Sequence, residues 1–214
     1  MGRVKGMTFA SDQRASLARL LHDLGPDAQT LCEGWTTRDL AVHLVLRETR
    51  PDAAVGMFVP LLSGHLDKVS ARLAAQDYDA VVDRWAAGPS GLFQVLDKAL
   101  NTVEHFVHHE DVRRAQPGMK AQPLPLTVAQ QRQLWAAAKM IIPRLLSTSQ
   151  APVVVVPDGL SRVVAADKAG VSTNGANVAH VAGPVGEIVL WAYGRDVATV
   201  KVSDEYGVIR RSSI

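Results

Sequence analysis

One predicted helix carries an unusual density of side chains that can bind a metal ion. Six ionisable groups fall within eight positions of the run Glu104-His105-Phe106-Val107-His108-His109-Glu110-Asp111. Residues four apart lie on the same face of a helix, so Glu104 with His108 and His105 with His109 compete as ligand pairs. Imidazole nitrogen and carboxylate oxygen suit zinc, and manganese, nickel and iron also accept them. A solvated charged face is the alternative interpretation.

Helical phase separates the two competing pairs. The apolar side chains of the helix cluster around one direction and are Leu92, Phe93, Leu96, Leu100, Val103 and Val107. At about 100° per residue, Glu104 lies roughly 70° and His108 roughly 110° from that direction. His105 and His109 lie roughly 170° and 150° away, so we expect them to be more exposed to water. An inward carboxylate needs a compensating cation, which favours the Glu104 and His108 pair.

A histidine from another helix would complete this ligand set, and His43 is the candidate. It shares helical spacing with Leu40 and Leu44, which places it on or beside a buried stripe. Taken alone, such a histidine is more often a core residue hydrogen-bonded to a neighbour. Three protein ligands leave one coordination position open, as in catalytic zinc sites. Asp111 lies one turn beyond His108 and is predicted to orient the His108 ring without binding the metal.

The sequence around these residues predicts a series of helices. They span 11–24, 36–50, about 61–76, about 78–87, 91 to about 115, and 127 to about 146. Thr36 with Asp39 and Thr127 with Gln130 form the capping boxes that start two of them. Three prolines and a glycine mark residues 116–126 as a linker.

After residue 147 the sequence changes from helix-forming to strand-forming. Short strands are predicted at 153–156, 163–166, 177–181 and 197–202, with a helix at 184–193. Pro157-Asp158-Gly159 separates the first two strands and is typical of a hairpin turn. The sequence therefore predicts a mainly α protein in three parts. These are a leader or disordered N-terminus over 1–9, a metal-binding helical bundle over 10–147 and a small α+β domain over 148–214.

Composition limits which partners and which cellular compartment we expect for the protein. Among 214 residues, 23 Lys and Arg face 21 Asp and Glu, and no basic block appears, so a nucleic-acid partner is not expected. No apolar run reaches the roughly 18–20 residues of a membrane span. The one cysteine, Cys32, excludes an internal disulfide and fits a reducing compartment, so we expect the cytoplasm. The sequence does not specify an oligomeric state, and a homodimer is compatible with it.

The segment around His43 resembles the signature of the mycothiol-dependent maleylpyruvate isomerase family, within the DinB-like metalloprotein superfamily. It reads Leu31-Cys32-Glu33-Gly34-Trp35-Thr36-Thr37-Arg38-Asp39-Leu40-Ala41-Val42-His43-Leu44. In that family a Gly-Trp, a helix-starting Asp-Leu and a metal-binding His recur at this spacing, and a Glu and a His four apart complete the ligand set. Carried over by position, the resemblance marks His43, Glu104 and His108. It implies a DinB-like four-helix bundle followed by a small α+β domain.

The rest of the chain refines what this resemblance implies. The run Gly186–Arg195 is similar to the small domain that often follows the bundle, while His108–Arg114 is closer to an uncharacterised actinobacterial branch than to the isomerase itself. The implied cofactors are a divalent metal, with Zn²⁺ expected, and a mycothiol-type thiol. The implied activity is a thiol-dependent transfer or isomerisation of a small electrophilic or anionic substrate.

Three further residues, and the function itself, each have more than one interpretation. Arg195 is the candidate for binding an anionic substrate, and a surface arginine at a helix end is the other interpretation. Cys32 is interpreted as a structural thiol rather than a nucleophile, and Trp35 as a packing residue rather than a substrate platform. A non-catalytic metal-binding module would close the coordination sphere with Asp111 or another side chain. A metal-dependent hydrolase would need a general base, for which Asp111 is the candidate.

Overall fold

A computed structural model of the chain describes residues 8–50, 52, 63–88, 98–167 and 178–212. Within these residues the helices are α1 (Phe9–Leu24), α2 (Thr37–Thr49), α3 (Ser63–Ala74), α4 (Tyr78–Ala86), α5 (Lys98–Ala115), α6 (Val128–Leu145) and α7 (Val185–Ala192). The strands are β1 (Val153–Pro157), β2 (Val163–Ala165), β3 (Ala179–Gly183) and β4 (Lys201–Ser203). The predicted mainly α fold with a C-terminal α+β region is confirmed.

Two compact units divide the chain, and α5 contributes to both. One unit contains Met1–Lys98 and His108–Met119, and the other contains Ala99–Val107 and Lys120–Ile214. Helix α6 packs against α7 and β2 within the second unit. The domain ranges drawn from the sequence stay a prediction. No helix in the described part of the chain combines the length and apolar character needed to cross a membrane.

Local capping signals set where the helices start. The Thr36 backbone N–H donates to Asp39 Oδ2 over 2.9 Å, and the same contact joins Thr127 to Gln130 Oε1 over 2.9 Å, so both predicted capping boxes form. Helix α1 begins at Phe9, two residues before its predicted start, because Thr8 acts as its N-cap. The remaining residues of the predicted leader, and the predicted start of the long helix at 91–97, lie outside the described residues.

The first unit is held together by an apolar core and by buried ion pairs, of which Arg14 with Glu48 is an example. Core side chains come from α1 to α4 and include Leu17, Leu21, Leu40, Leu44, Val82 and Trp85. Arg14 Nη2 lies 2.6 Å from Glu48 Oε2, and Trp85 Nε1 donates to Glu48 Oε1 over 3.0 Å. Both oxygens of this buried carboxylate therefore have partners, which offsets the cost of removing its charge from water.

The sheet of the second unit has the strand order β2-β1-β3-β4. Strands β1 and β2 pair antiparallel, which confirms the predicted hairpin, while β1 and β3 run parallel and β3 and β4 antiparallel. Three successive residues of β1, Val153 to Val155, are buried, as expected for an inner strand covered on both faces.

Helix α7 packs closely enough on α5 to require a glycine. A Cβ atom on Gly186 would lie 2.9 Å from Cζ of Phe106 and 3.7 Å from Cδ1 of Leu126. Phe106 is itself only 1% exposed and has little room to move. Gly186 is therefore fixed by packing rather than by backbone conformation.

Candidate metal centre

Helix α5 is buried on every side from Val103 to Val112. Glu104 and His108 are 6% and 7% exposed, and His105 and His109 are 2% and 8% exposed. The expectation that His105 and His109 face water is therefore wrong. Helical phase separates an inner from an outer face only where one side of the helix meets solvent, and here none does.

The structure brings the three predicted ligands together. His43, Glu104 and His108 each offer one ligand atom, and these atoms all lie within 4.8 Å of one another. The His43 and His108 ring centroids are 5.2 Å apart, with the ring planes close to perpendicular. Glu104 and His108 lie one turn apart on α5, and His43 lies in the middle of α2. Their role as ligands stays a prediction.

Asp111 lies where it can orient the ring of His108. Its Oδ2 atom is 3.0 Å from His108 Nδ1, and its side chain is fully buried. When Nδ1 carries the ring proton and donates it to this carboxylate, Nε2 is left with its lone pair for another ligand. A carboxylate in this position also makes the imidazole a more basic ligand.

Cys32 has a contact that the sequence did not predict. Its Sγ atom donates to the same Asp111 Oδ2 over 3.3 Å, across 79 positions of sequence. The loop that carries Cys32 is also held by its main chain, because the Leu31 N–H donates to the Asp111 carbonyl over 3.0 Å. Thr30 Oγ1 accepts from the Cys32 N–H over 3.1 Å. No local sequence pattern reports a contact between a loop and a helix so far along the chain.

Trp35 closes this loop against His43. The two ring centroids are 5.1 Å apart and the rings are tilted by 53°. Both residues are half-buried, whereas Glu104, His108 and Asp111 are buried. Trp35 is therefore in contact with a predicted ligand. The sequence indicated a packing residue at this position but not what it would pack against.

The residues that follow His108 have partners of another kind. His109 Nδ1 lies 2.9 Å from the amide oxygen of Gln13, and burial lowers the pKa of His109, which favours the neutral ring. Glu110 accepts from Arg113 Nε over 2.6 Å and from Arg114 Nε over 2.7 Å. These contacts give the buried side chains neutral or permanently charged partners within the protein.

Arg195 lies just after α7 and is half-buried. Its Nη1 atom donates to the Tyr193 carbonyl over 2.7 Å, so the guanidinium folds back on the end of its own helix. Its proposed contact with an anionic substrate stays a prediction.

Two solved structures share the fold of this chain over nearly its whole length. A crystal structure of the mycothiol-dependent maleylpyruvate isomerase has a TM-score of 0.59 and 16% sequence identity, and the match covers 95% of this chain and 94% of that chain. A structure of that enzyme with one histidine replaced by alanine gives a TM-score of 0.58 with the same identity and coverage. No protein-family profile and no curated protein sequence matches the chain. The resemblance drawn from the sequence is thus confirmed at the level of the fold.

Proposed function

We propose that this protein is an enzyme that binds one divalent metal, with zinc as the expected ion, through His43, Glu104 and His108. It would use a small thiol of the mycothiol type to isomerise, or transfer sulfur to, a small electrophilic or anionic substrate. The observation that carries the proposal is the convergence of three ligand atoms within 4.8 Å. The shared fold with a mycothiol-dependent isomerase supports the thiol as cofactor.

The donor set fits such a metal. Two imidazoles and one carboxylate match the preferences of zinc, and three protein ligands leave a position for a further molecule. Glu104 is 6% exposed, and a carboxylate this far from water is stabilised by a cation. The bound metal would supply a Lewis-acid centre that holds a thiol as its thiolate.

The protein's own side chains would prepare this centre. Asp111 would accept the His108 Nδ1 proton, 3.0 Å away, and so leave Nε2 as the ligand atom. Trp35 packs on the His43 ring and limits its rotation. Because Trp35 and His43 are half-buried while Glu104 is buried, the thiol and the substrate would approach from the side of His43.

The geometry of Asp111 favours this function over the two alternatives. Its Oδ2 atom accepts from Cys32 and lies 3.0 Å from His108 Nδ1, an arrangement suited to orienting a ligand. A hydrolase would need this carboxylate as a general base next to a metal-bound water, and a closed binding module would need it as the fourth ligand. The contact with Nδ1 instead places Asp111 on the side of the ring away from Nε2.

Cobalt(II) substitution tests the thiol step directly. A thiolate bound to cobalt(II) gives an intense near-ultraviolet charge-transfer band. We expect this band to rise and saturate as a mycothiol-like thiol is added to the cobalt protein, with proton release on coordination. The experiment uses Cys32→Ser protein beside the wild type, because in the variant the added thiol is the only source of a thiolate.

The oxygen analogue of the same thiol is the matched control. It should produce no band, because an alcohol stays protonated and binds the metal poorly. A cobalt-loaded protein that gives no band with the thiol would contradict thiol-dependent catalysis. A response to simple anions in place of the thiol would support the hydrolase instead.

The proposal also covers the architecture of the helical region, the cellular compartment and the partners. We assign the helical region to a DinB-like four-helix bundle and place the protein in the cytoplasm, where a single cysteine stays reduced. The partners would be the small thiol and the small substrate.

A further inference from the structure

A second group of ligand atoms lies beside the first and shares one residue with it. Cys32, His108 and Asp111 each offer one ligand atom, and these atoms lie within 4.8 Å of one another. The thiol comes from the loop before α2, and the other two side chains come from α5. Cys32 is half-buried while His108 and Asp111 are buried, so the group can be reached by solutes from the side of the thiol.

The donor chemistry of this group differs from that of the first. Cys32 supplies sulfur, whereas His43 and Glu104 supply nitrogen and oxygen. Zinc accepts all three kinds of donor, whereas a softer cation such as cadmium prefers the thiolate more strongly. The same short stretch of α5 therefore faces two sets of donors with different metal preferences.

Two donors converge on one oxygen of Asp111 in the structure. Cys32 Sγ lies 3.3 Å from Oδ2, and His108 Nδ1 lies 3.0 Å from the same atom. A cation among these three atoms would take the place of the hydrogen bonds that Cys32 and His108 can donate to the carboxylate. On binding, a Cys32 sulfur–metal bond forms, and the thiol proton is released to solvent.

His108 makes occupation of the two groups exclusive. A neutral imidazole carries one ring proton, on Nδ1 or on Nε2. A metal bound with His43 and Glu104 would use Nε2 and need the proton on Nδ1, which lies 3.0 Å from Asp111 Oδ2. A metal bound with Cys32 and Asp111 uses Nδ1 and needs the proton on Nε2. One neutral ring cannot serve both at the same time.

We propose that the centre has two alternative cation positions that share His108. Zinc occupies the position formed with His43 and Glu104, and a thiophilic divalent cation such as cadmium occupies the position formed with Cys32 and Asp111. The first position rests on the proposed function, and the second rests on its own contacts. Exposure to a soft metal would therefore remove the catalytic ion by taking His108 from it, without the soft metal binding His43 or Glu104.

Cadmium titration of the zinc-loaded protein tests both parts of this proposal. The chain has one cysteine, so a thiolate-to-cadmium absorption band in the ultraviolet can arise only from Cys32 in a thiol-free buffer. We expect the band to saturate at one cadmium per chain, with one zinc released for each cadmium bound. No band at saturating cadmium would overturn the thiophilic position. A full band with the zinc retained would overturn the exclusive use of His108.

Two variants separate this proposal from the first. Cys32→Ser keeps a hydroxyl donor for Asp111 but removes the thiolate, so the band should vanish. Cadmium affinity relative to zinc should fall by more than the about 10–100-fold that follows loss of a ligand's hydrogen-bonding partner. His43→Ala should lose zinc but keep the cadmium band, because His43 belongs only to the first position. A band lost in His43→Ala would mean that Cys32 joins the first ligand set, and the second position would be wrong. A normal cadmium band together with wild-type zinc content in His43→Ala would defeat the first position alone.

Discussion

His108 and His109 are neighbours on α5 and are almost equally exposed, at 7% and 8%. Their partners differ in charge. The His108 ring contacts the carboxylate of Asp111, whereas the His109 ring contacts the neutral amide of Gln13. A histidine that donates to a carboxylate is held as a basic ligand, while one that is buried against an amide is held neutral in the core. The charge of the partner, rather than burial, separates a candidate ligand from a structural histidine here.

The two buried glutamates of α5 show the same contrast. Glu110 is fully buried and bonds to Arg113 and Arg114, whose charges are permanent. Glu104 lies within ligand distance of His43 and His108, the two other predicted ligands. A carboxylate already bound by two guanidinium groups has little capacity for a metal, whereas one among imidazoles fits it well.

The largest expected effect is the difference in metal affinity between His108→Ala and His109→Ala. His108→Ala should lower metal affinity by more than the about 10–100-fold that follows loss of a ligand's hydrogen-bonding partner. His109→Ala should leave the metal content close to one ion per chain. Elemental analysis after dialysis measures both. If His109→Ala loses the metal and His108→Ala keeps it, the two roles assigned here are reversed.

Metal removal should destabilise the protein through Glu104. A ligand present at 100 times its dissociation constant contributes about 2.7 kcal/mol of stability, which corresponds to a Tm change of roughly 5–10 °C in a chain of this size. Glu104→Gln removes the charge but keeps the shape, so its Tm should change less when the metal is removed. Thermal unfolding with and without a chelator provides the measurement. Equal Tm changes in both proteins would exclude Glu104 from the ligand set.

Asp111, the partner of His108, should affect metal affinity, whereas Gln13, the partner of His109, should affect the free energy of unfolding. Asp111→Asn should weaken metal affinity about 10–100-fold, because the His108 ring loses its carboxylate acceptor. Gln13→Leu should lower the free energy of unfolding by about 1–3 kcal/mol, because the buried His109 ring loses its partner, with metal affinity unchanged. Competition with a chelator and chemical denaturation measure the two effects. A loss of metal affinity in Gln13→Leu would show that the two sides of the helix are coupled.

Gly186→Ala tests how closely α7 packs against Phe106 on α5. The added methyl group would lie 2.9 Å from Phe106 Cζ, and overpacking of this kind destabilises by about 1–3 kcal/mol. Gly64→Ala in α3 is the matched control, because its Cβ would meet no atom within 4 Å and alanine favours a helix. Denaturant unfolding should rank Gly186→Ala below the wild type and Gly64→Ala at or above it. The reverse order would contradict the close approach of α7.

The smallest expected effect is on the pH dependence of stability, and it differs in sign between His109 and His22 on α1. Hydrogen bonds to Asp79 and Asp83 raise the pKa of His22 above 6.5, so its contribution is complete below that pH and is lost as pH rises through the folded-state value. Burial lowers the pKa of His109 below 6.5, so its contribution is complete above that pH and is lost as pH falls through the folded-state value. Unfolding of His22→Gln and His109→Gln between about pH 5 and 8 should therefore change the pH slope in opposite directions. Slopes that change in the same direction would contradict one of the two assignments.

Local chemistry explains what the sequence predicted well. The start of α2 follows from Thr36 and Asp39, which lie three residues apart, and the pairing of Glu104 with His108 follows from one helical turn. The burial of His105 could not be predicted, because it depends on what surrounds the outer side of α5. The contact of Cys32 with Asp111 joins a loop to a distant helix, and no periodic pattern encodes it.

The main-chain bond from Leu31 to the Asp111 carbonyl has an evolutionary consequence. It fastens the loop to α5 through atoms that every residue except proline possesses. The side chains at positions 32 and 35 can therefore be exchanged in the course of divergence while the loop keeps its place. Related chains could acquire new selectivity at this centre by single substitutions, without rebuilding the helices that carry it.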